Sequence, residues 1–139
     1  MATQPRELGA LVCDDEPIVR SAVRAVLERC GFVVGTAGSA DAAVQAATAE
    51  PPDAIVVDLD LSGDRGVRLI TALLQAAPGC AVVVVTTFTA LRQAALDAGA
   101  RVVIDRSDLR DLEPCLLDVA RRAASRPDRP GAERQARST

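Results

Sequence analysis

Residues 81–86 read Ala-Val-Val-Val-Val-Thr, an aliphatic run with no polar residue before its last position. A strand with one face in water alternates apolar and polar residues, whereas an unbroken aliphatic run indicates a strand that is buried on both faces. Strands of this kind belong to parallel sheets with helices on each side. We therefore expect an α/β fold in which short aliphatic runs alternate with helical segments.

The rest of the chain follows that alternation. The predicted strands are residues 8–13, 32–36, 54–58, 81–86 and 101–105. Apolar residues spaced three and four apart predict a helix after each strand. Pro17 opens the first helix and Gly31 follows it, Ser39 can cap the second, and Pro114 lies in the first turn of the fifth. The fold class is therefore (βα)5, a doubly wound, five-stranded parallel sheet.

Length and charge predict one folded domain and a tail. The 139 residues suit a single domain, which we place at residues 1–124. Residues 125–139 have no aliphatic anchor and contain two prolines and a glycine, which predicts a disordered tail or linker. The net charge of −3 divides into −5 for the domain (12 Arg, 17 acids) and +2 for the tail (4 Arg, 2 acids). An acidic domain gives no reason to expect direct nucleic-acid binding by residues 1–124 or binding to an anionic membrane.

The composition excludes several chemistries. The chain has no His, Lys, Trp or Tyr, so all sixteen basic residues are Arg. Schiff-base catalysis, Ser/His and Cys/His dyads and a Walker lysine are therefore absent. Two phenylalanines, Phe32 and Phe88, cannot build a stacking platform for a flavin or single-stranded nucleic acid. Carboxylate, hydroxyl and guanidinium chemistry remains.

The four cysteines favour a reducing compartment. Their spacing contains no CxxC pair, so a zinc site is not indicated. The sequence also shows no secretory signal and no apolar run of membrane-spanning length, so we expect a cytoplasmic protein. Cys13 stands next to an acidic cluster, but a buried strand residue is a better interpretation than an oxidation sensor.

Polar residues collect where the predicted strands end. Asp14, Asp15 and Glu16 follow the first strand, Asp58 ends the third, Thr86 ends the fourth and Arg106 follows the fifth. Each has an ordinary interpretation alone, as a helix start, a turn residue, a strand end or a surface charge. In parallel α/β sheets, however, all these positions share the edge where sites form.

Three carboxylates at that edge need a counter-charge. Two like charges about 4 Å apart repel by about 4 kcal/mol at an effective dielectric constant of 20. We therefore expect Asp14, Asp15 and Asp58 to lie close together around Mg²⁺, which prefers oxygen ligands and also binds phosphate. Beside such an ion, a carboxylate can act as the nucleophile in phosphoryl transfer, and Asp58 is our candidate.

Over residues 8–123 the chain resembles the receiver domains of response regulators, the phosphoacceptors of two-component signalling. The matching segments are LVCDDEPIVR (11–20), PDAIVVDLDLSGDRG (52–66), VVVVTTF (82–88) and ALDAGA (95–100). The resemblance implies a flavodoxin-like fold with strand order 2-1-3-4-5.

The resemblance also implies roles for individual residues and partners. Asp58 would accept a phosphoryl group from a sensor histidine kinase or a phosphotransfer protein, and the chain would catalyse only its own phosphorylation and dephosphorylation. Mg²⁺ would be held by Asp14 (through water), Asp15, Asp58 and the carbonyl of Asp60. Thr86 and Arg106 would contact the phosphoryl group. A homodimer through the face of the fourth helix, fifth strand and fifth helix is a further implied partner.

The sequence departs from the family pattern at three positions. Arg106 replaces the usual lysine, Val103 replaces an aromatic switch residue, and Ser62 replaces a proline. Arginine keeps the charge but carries it on a planar fork. The stretch from Thr86 to Gly99 is also shorter than usual. Because Val103 stands in place of a ring, we expect any active state to be signalled through the loop and helix after the fourth strand, including Phe88.

Two other functions stay open. The sequence Asp58-Leu-Asp60 fits the nucleophile and acid pair of haloacid-dehalogenase-like phosphohydrolases, although that family places the pair on its first strand. Alternatively, the chain is a receiver-like interaction module that is not phosphorylated, which the changes at Arg106 and Val103 would permit.

Overall fold

The computed structural model describes residues 7–59 and 65–126. Five parallel strands form one sheet in the order β2-β1-β3-β4-β5. The strands are β1 (Leu8–Cys13), β2 (Phe32–Ala37), β3 (Ala54–Asp58), β4 (Ala81–Thr86) and β5 (Val102–Asp105). The helices are α1 (Pro17–Arg29), α2 (Ala40–Ala49), α3 (Arg65–Ala76), α4 (Arg92–Asp97) and α5 (Leu112–Ala124). The predicted fold class and strand order are confirmed.

Two apolar layers enclose the sheet. On one face, Val23 and Leu27 of α1 and Leu116 and Val119 of α5 pack against the strands. On the other face, α2, α3 and α4 supply the buried side chains. Every residue of β3 and β4 is buried, as the unbroken aliphatic runs predict.

Local signals fix several helix ends as expected. The Ser39 hydroxyl accepts a hydrogen bond from the Ala42 N–H at 3.2 Å and caps α2. Gly31 and Gly99 follow α1 and α4 with positive φ angles of 98° and 114°, a conformation that glycine adopts without steric cost.

Before α4 the chain forms a 3₁₀ turn at Thr89–Leu91, in which the Leu91 N–H donates to the Phe88 carbonyl at 3.0 Å. Two predicted strand boundaries are wrong by one residue. Strand β2 continues to Ala37, whose carbonyl accepts from the Asp14 N–H at 3.1 Å. Strand β5 begins at Val102 rather than at Arg101.

A buried acid joins three strands at the amino-terminal edge of the sheet. The Asp53 carboxylate accepts from the Gly9 N–H at 2.9 Å, and its carbonyl accepts from the Ala81 N–H at 2.9 Å. Asp53 is 5% exposed. This acid lies at the edge opposite the polar strand ends, so its contacts are structural.

No helix in residues 7–59 and 65–126 has both the length and the apolar character needed to cross a membrane. The predicted tail lies almost wholly outside the described residues, since only Ser125 and Arg126 belong to both. The Arg126 guanidinium donates to the Gly79 carbonyl at 2.5 Å.

Candidate functional site

The strand register brings the polar strand ends to one edge of the sheet. Cys13 pairs with Val57, and Asp58 pairs with Val85. Asp14 therefore follows β1 at the level where Asp58 ends β3. Thr86 pairs with Asp105, which places Arg106 one residue beyond that level on the outer strand. The sequence prediction of a shared carboxyl-terminal edge is correct for these four residues.

The loop after β1 is held by the Asp14 backbone and side chain. The Asp14 N–H donates to the Ala37 carbonyl, and its carboxylate accepts from the Glu16 N–H at 2.9 Å. The Arg20 guanidinium donates to the Asp14 carbonyl at 3.0 Å. Asp14 is 3% exposed, whereas Asp15 is exposed to solvent. The two adjacent acids therefore have different environments, one fixed inside the protein and one accessible from outside.

Arg106 bridges two carboxylates above the sheet. Its Nη1 lies 3.2 Å from Asp58 Oδ2, and its Nη2 lies 3.0 Å from Glu16 Oε2. The Asp58 side chain is 5% exposed, that of Arg106 is 22% exposed and that of Glu16 is 57% exposed. Arg106 is thus a partner of the buried Asp58 and not the solvated surface charge of its ordinary interpretation. Its guanidinium supplies positive charge directly at the candidate phosphoacceptor.

Thr86 connects the candidate site with the loop after β4. Its side chain is buried, and its hydroxyl oxygen accepts from the Phe88 N–H at 3.0 Å. Its carbonyl accepts from the Arg106 N–H at 3.0 Å. The Phe88 side chain is 53% exposed, as expected. Any movement of Thr86 toward a ligand must therefore break or stretch a contact with the loop that presents Phe88.

Hydrogen bonds also fix the loop that carries Arg106. The Asp105 carboxylate accepts from the Ser107 N–H at 2.9 Å and from the Ser107 hydroxyl at 2.8 Å, which lowers the pKa of Asp105. Val103, at the position of the family's aromatic switch residue, is half-buried and packs against the layer formed by α2, α3 and α4. The Asp105 hydrogen bonds therefore hold this loop, and β5 contributes no aromatic side chain to it.

Cys13 is a buried residue at the end of β1, and its thiol pKa is affected by the nearby acidic residues. Burial, and to a smaller extent the negative charges of Asp14, Asp58 and Asp15, together raise the pKa of its thiol to about 11. Such a thiol is protonated and unreactive at neutral pH. The preference for a buried strand residue over an oxidation sensor is therefore supported.

The described residues contain the ligand types that Mg²⁺ prefers, but not a converged set. Among residues 7–59 and 65–126, no three Cys, Asp or Glu side chains come close enough to hold an ion. The expected close trio of Asp14, Asp15 and Asp58 is not formed there, because Asp14 binds a backbone N–H and Arg106 pairs with Asp58. Asp60 and Ser62 lie outside the described residues. Carboxylate oxygens are the donors that a hard cation such as Mg²⁺ prefers. Because the described side chains do not converge, the assignment of metal ligands stays a prediction.

Sequence reasoning missed the roles of two residues. Glu16 was considered part of an acidic helix start, although its side chain pairs with Arg106. Arg20, which holds the Asp14 carbonyl, was not singled out. The available signal was weak: Arg20 lies six positions after Asp14, where the first turn of α1 can direct it back to the loop.

Comparisons with known proteins show the family of this chain. The family model described as "Response regulator receiver domain" matches residues 10–113. The photosynthetic apparatus regulatory protein RegA of Cereibacter sphaeroides is 33% identical over 132 residues, covering 89% of this chain and 71% of RegA. The transcriptional regulatory protein PrrA of Mycobacterium tuberculosis is 36% identical over 100 residues, covering 70% of this chain and 42% of PrrA.

Solved structures give the same result. A response regulator protein from Burkholderia pseudomallei, crystallised with a phosphorylated aspartic acid, a calcium ion and citrate, is 29% identical with a TM-score of 0.70. The match covers 96% of this chain and 74% of that protein. A CheY-like receiver domain from Methanospirillum hungatei shares the fold, with a TM-score of 0.76 at 21% identity, covering 85% of this chain and 97% of that domain. The chain belongs to the response regulator receiver domain family of two-component signalling.

Proposed function

We propose that the chain is a phosphoacceptor in which Asp58 takes a phosphoryl group from a phosphohistidine of a sensor histidine kinase or phosphotransfer protein. The observation that carries the proposal is the buried Asp58 carboxylate at the end of β3, held 3.2 Å from the Arg106 guanidinium. This chain has no histidine, so the phosphohistidine lies outside residues 1–139.

The transfer is a substitution at phosphorus. A carboxylate oxygen of Asp58 bonds to phosphorus while the bond from phosphorus to the donor's imidazole nitrogen breaks, and the electron pair stays with that nitrogen. Arg106 neutralises part of the charge that a phosphoryl group adds. A threonine hydroxyl both donates and accepts, so Thr86 can donate its proton to a phosphoryl oxygen while its oxygen accepts from the Phe88 N–H.

Mg²⁺ fits the proposal through the chemistry of the available oxygens. Asp15, Asp58 and the carbonyl of Asp60 would hold the ion, and Asp14 would act through water. When bound, the ion neutralises carboxylate charge and orients a phosphate oxygen. The buried Asp14 has its backbone and carboxylate fixed already, so this part of the site is preorganised.

Signalling then requires that contacts to the phosphoryl group be stronger in the active state of the protein than in its inactive state. Moving an equilibrium from 1:99 to 99:1 takes about 5.5 kcal/mol, and a hydrogen bond to a charged group contributes about 1.5 to 3 kcal/mol. A new contact from Thr86 would supply part of that value. Arg106 already lies 3.2 Å from Asp58, so it adds only the amount by which its contact strengthens on phosphorylation. Because Thr86 also bonds the Phe88 N–H, the change would reach the exposed Phe88 and α4.

Acetyl phosphate tests the proposal without knowledge of the kinase. Wild type, Asp58→Asn and the control Asp41→Asn, which removes an exposed carboxyl on α2, are incubated with acetyl phosphate and either Mg²⁺ or a chelator. Intact-mass spectrometry should show one added phosphoryl group on wild type and on the control, only with Mg²⁺, and none on Asp58→Asn.

Other outcomes distinguish the alternatives. No adduct on wild type would contradict the proposal and favour an interaction module that is not phosphorylated. An adduct that persists on Asp58→Asn would place the acceptor on another residue. Release of phosphate over many turnovers would favour a phosphohydrolase.

A further inference from the structure

Arg106 contacts two carboxylates through its two terminal nitrogens, and one of these contacts is the 3.2 Å approach of Nη1 to Asp58. The other terminal nitrogen lies 3.0 Å from the Glu16 carboxylate, on the loop between β1 and α1. A guanidinium presents its donors in a fixed planar fork, so a contact at one nitrogen restricts the positions open to the other. The Glu16 contact therefore constrains where the charge of Arg106 lies relative to Asp58.

Glu16 is well placed to act as an anchor. Its N–H donates to the Asp14 carboxylate at 2.9 Å, and its carbonyl accepts from the Arg20 N–H at 2.9 Å. Glu16 precedes α1 but makes no side-chain capping bond there. Its backbone is thus fixed from both sides, while its carboxylate is directed to Arg106.

The Arg106 end of the contact is also fixed. The Arg106 N–H donates to the Thr86 carbonyl at 3.0 Å, which ties the start of the loop after β5 to the end of β4. A long side chain that begins at a fixed backbone still has many rotamers, and two carboxylates select among them. Asp58 is the buried partner and Glu16 is the partner at the surface.

We propose that Glu16 is a positioning residue that holds the Arg106 guanidinium beside Asp58, so that phosphoryl acceptance depends on Glu16 through Arg106. This inference rests on the proposed phosphoacceptor function. It assigns a role to the acidic residue after the two aspartates, and it connects the loops after β1 and β5 across the site.

A double-mutant cycle tests the dependence on Arg106. The initial rate of phosphorylation by acetyl phosphate and Mg²⁺ is measured for wild type, Glu16→Ala, Arg106→Gln and the double variant. The matched control is Glu28→Ala, because Glu28 is an equally exposed glutamate that contacts an arginine on α1, at 3.7 Å. Circular dichroism establishes that each variant is folded.

We expect Glu16→Ala to slow phosphorylation about two- to fivefold more when Arg106 is present than in the Arg106→Gln background. This is the range for a partly exposed ion pair. Glu28→Ala should match wild type. Equal effects of Glu16→Ala in both backgrounds would overturn the proposal, because Glu16 would then act on the site directly. No effect of Glu16→Ala in either background would also overturn it.

A second readout needs no phosphoryl donor. In isotope-labelled protein without metal, nuclear magnetic resonance should show separate, slowly exchanging Nη signals for Arg106 in wild type, and averaged signals in Glu16→Ala. Unchanged Arg106 signals in Glu16→Ala would refute the anchor. If wild type is never phosphorylated, the proposed function fails, and these signals still decide whether Glu16 holds Arg106.

Discussion

Replacing Arg106 by glutamine removes the positive charge from a buried carboxylate. Breaking a buried ion pair costs about 3 to 5 kcal/mol, whereas an exposed pair contributes about 0 to 1 kcal/mol. Asp58 is 5% exposed and Arg106 is 22% exposed, so the pair lies nearer the buried limit. We therefore expect Arg106→Gln to lower the free energy of unfolding by about 2 to 3 kcal/mol in the absence of Mg²⁺.

Urea unfolding followed by far-ultraviolet circular dichroism measures this change, since the chain has no Trp or Tyr for fluorescence. Arg110→Gln is the matched control. Arg110 pairs with Asp108 at 2.9 Å, but its side chain is 89% exposed, so Arg110→Gln should unfold at nearly the same urea concentration as wild type. If Arg106→Gln and Arg110→Gln unfold at the same urea concentration, the ion pair with Asp58 does not stabilise the fold.

Three further predictions concern thiols, the opposite sheet edge and the metal. The pKa values of the Cys13 and Cys80 thiols are raised to about 11 in the folded state, so unfolding becomes easier as pH rises from 9 toward 11, by about 1.4 kcal/mol per thiol at pH 10. Without Lys or Tyr the thiols dominate this range, and urea midpoints that stay constant from pH 8 to 10 would contradict the prediction. Asp53→Ala should lower the free energy of unfolding by about 1 to 3 kcal/mol, because the Gly9 N–H loses its carboxylate acceptor. Asp53→Asn should lower it less. If Asp53→Ala and wild type have the same urea midpoint, this role of Asp53 is refuted. Mg²⁺ at about ten times its dissociation constant should stabilise the protein by about 1.4 kcal/mol. The effect should be reversed by a chelator and should be smaller in Asp15→Asn. A melting temperature that does not change with Mg²⁺ would contradict a metal site.

Much of the fold could be predicted because its signals are local. The aliphatic run at 81–86 reports burial on both faces, and Gly31 and Gly99 mark helix ends where the backbone adopts a positive φ angle. The boundary errors occur where distant contacts decide. Strand β2 gains Ala37 because the N–H of Asp14, the residue after β1, donates to its carbonyl, and no pattern within 32–37 encodes that bond.

The candidate site was predictable by position but not by pairing. Strand ends identify Asp14, Asp58, Thr86 and Arg106, because all parallel strands deliver their carboxyl ends to one edge. Which charges pair depends on side-chain reach across separate loops. The contact between Arg106 and Glu16 joins residues ninety positions apart, so no spacing rule could reveal it.

Mapping the phosphoryl group tests the central claim most directly. After phosphorylation by acetyl phosphate and Mg²⁺, tryptic digestion releases peptide 30–65, which contains every aspartate from Asp41 to Asp64, and fragmentation locates the modified carboxyl group. We predict a single modification at Asp58. A modification at another aspartate, or none on any peptide, would contradict the assignment of Asp58 as the phosphoacceptor.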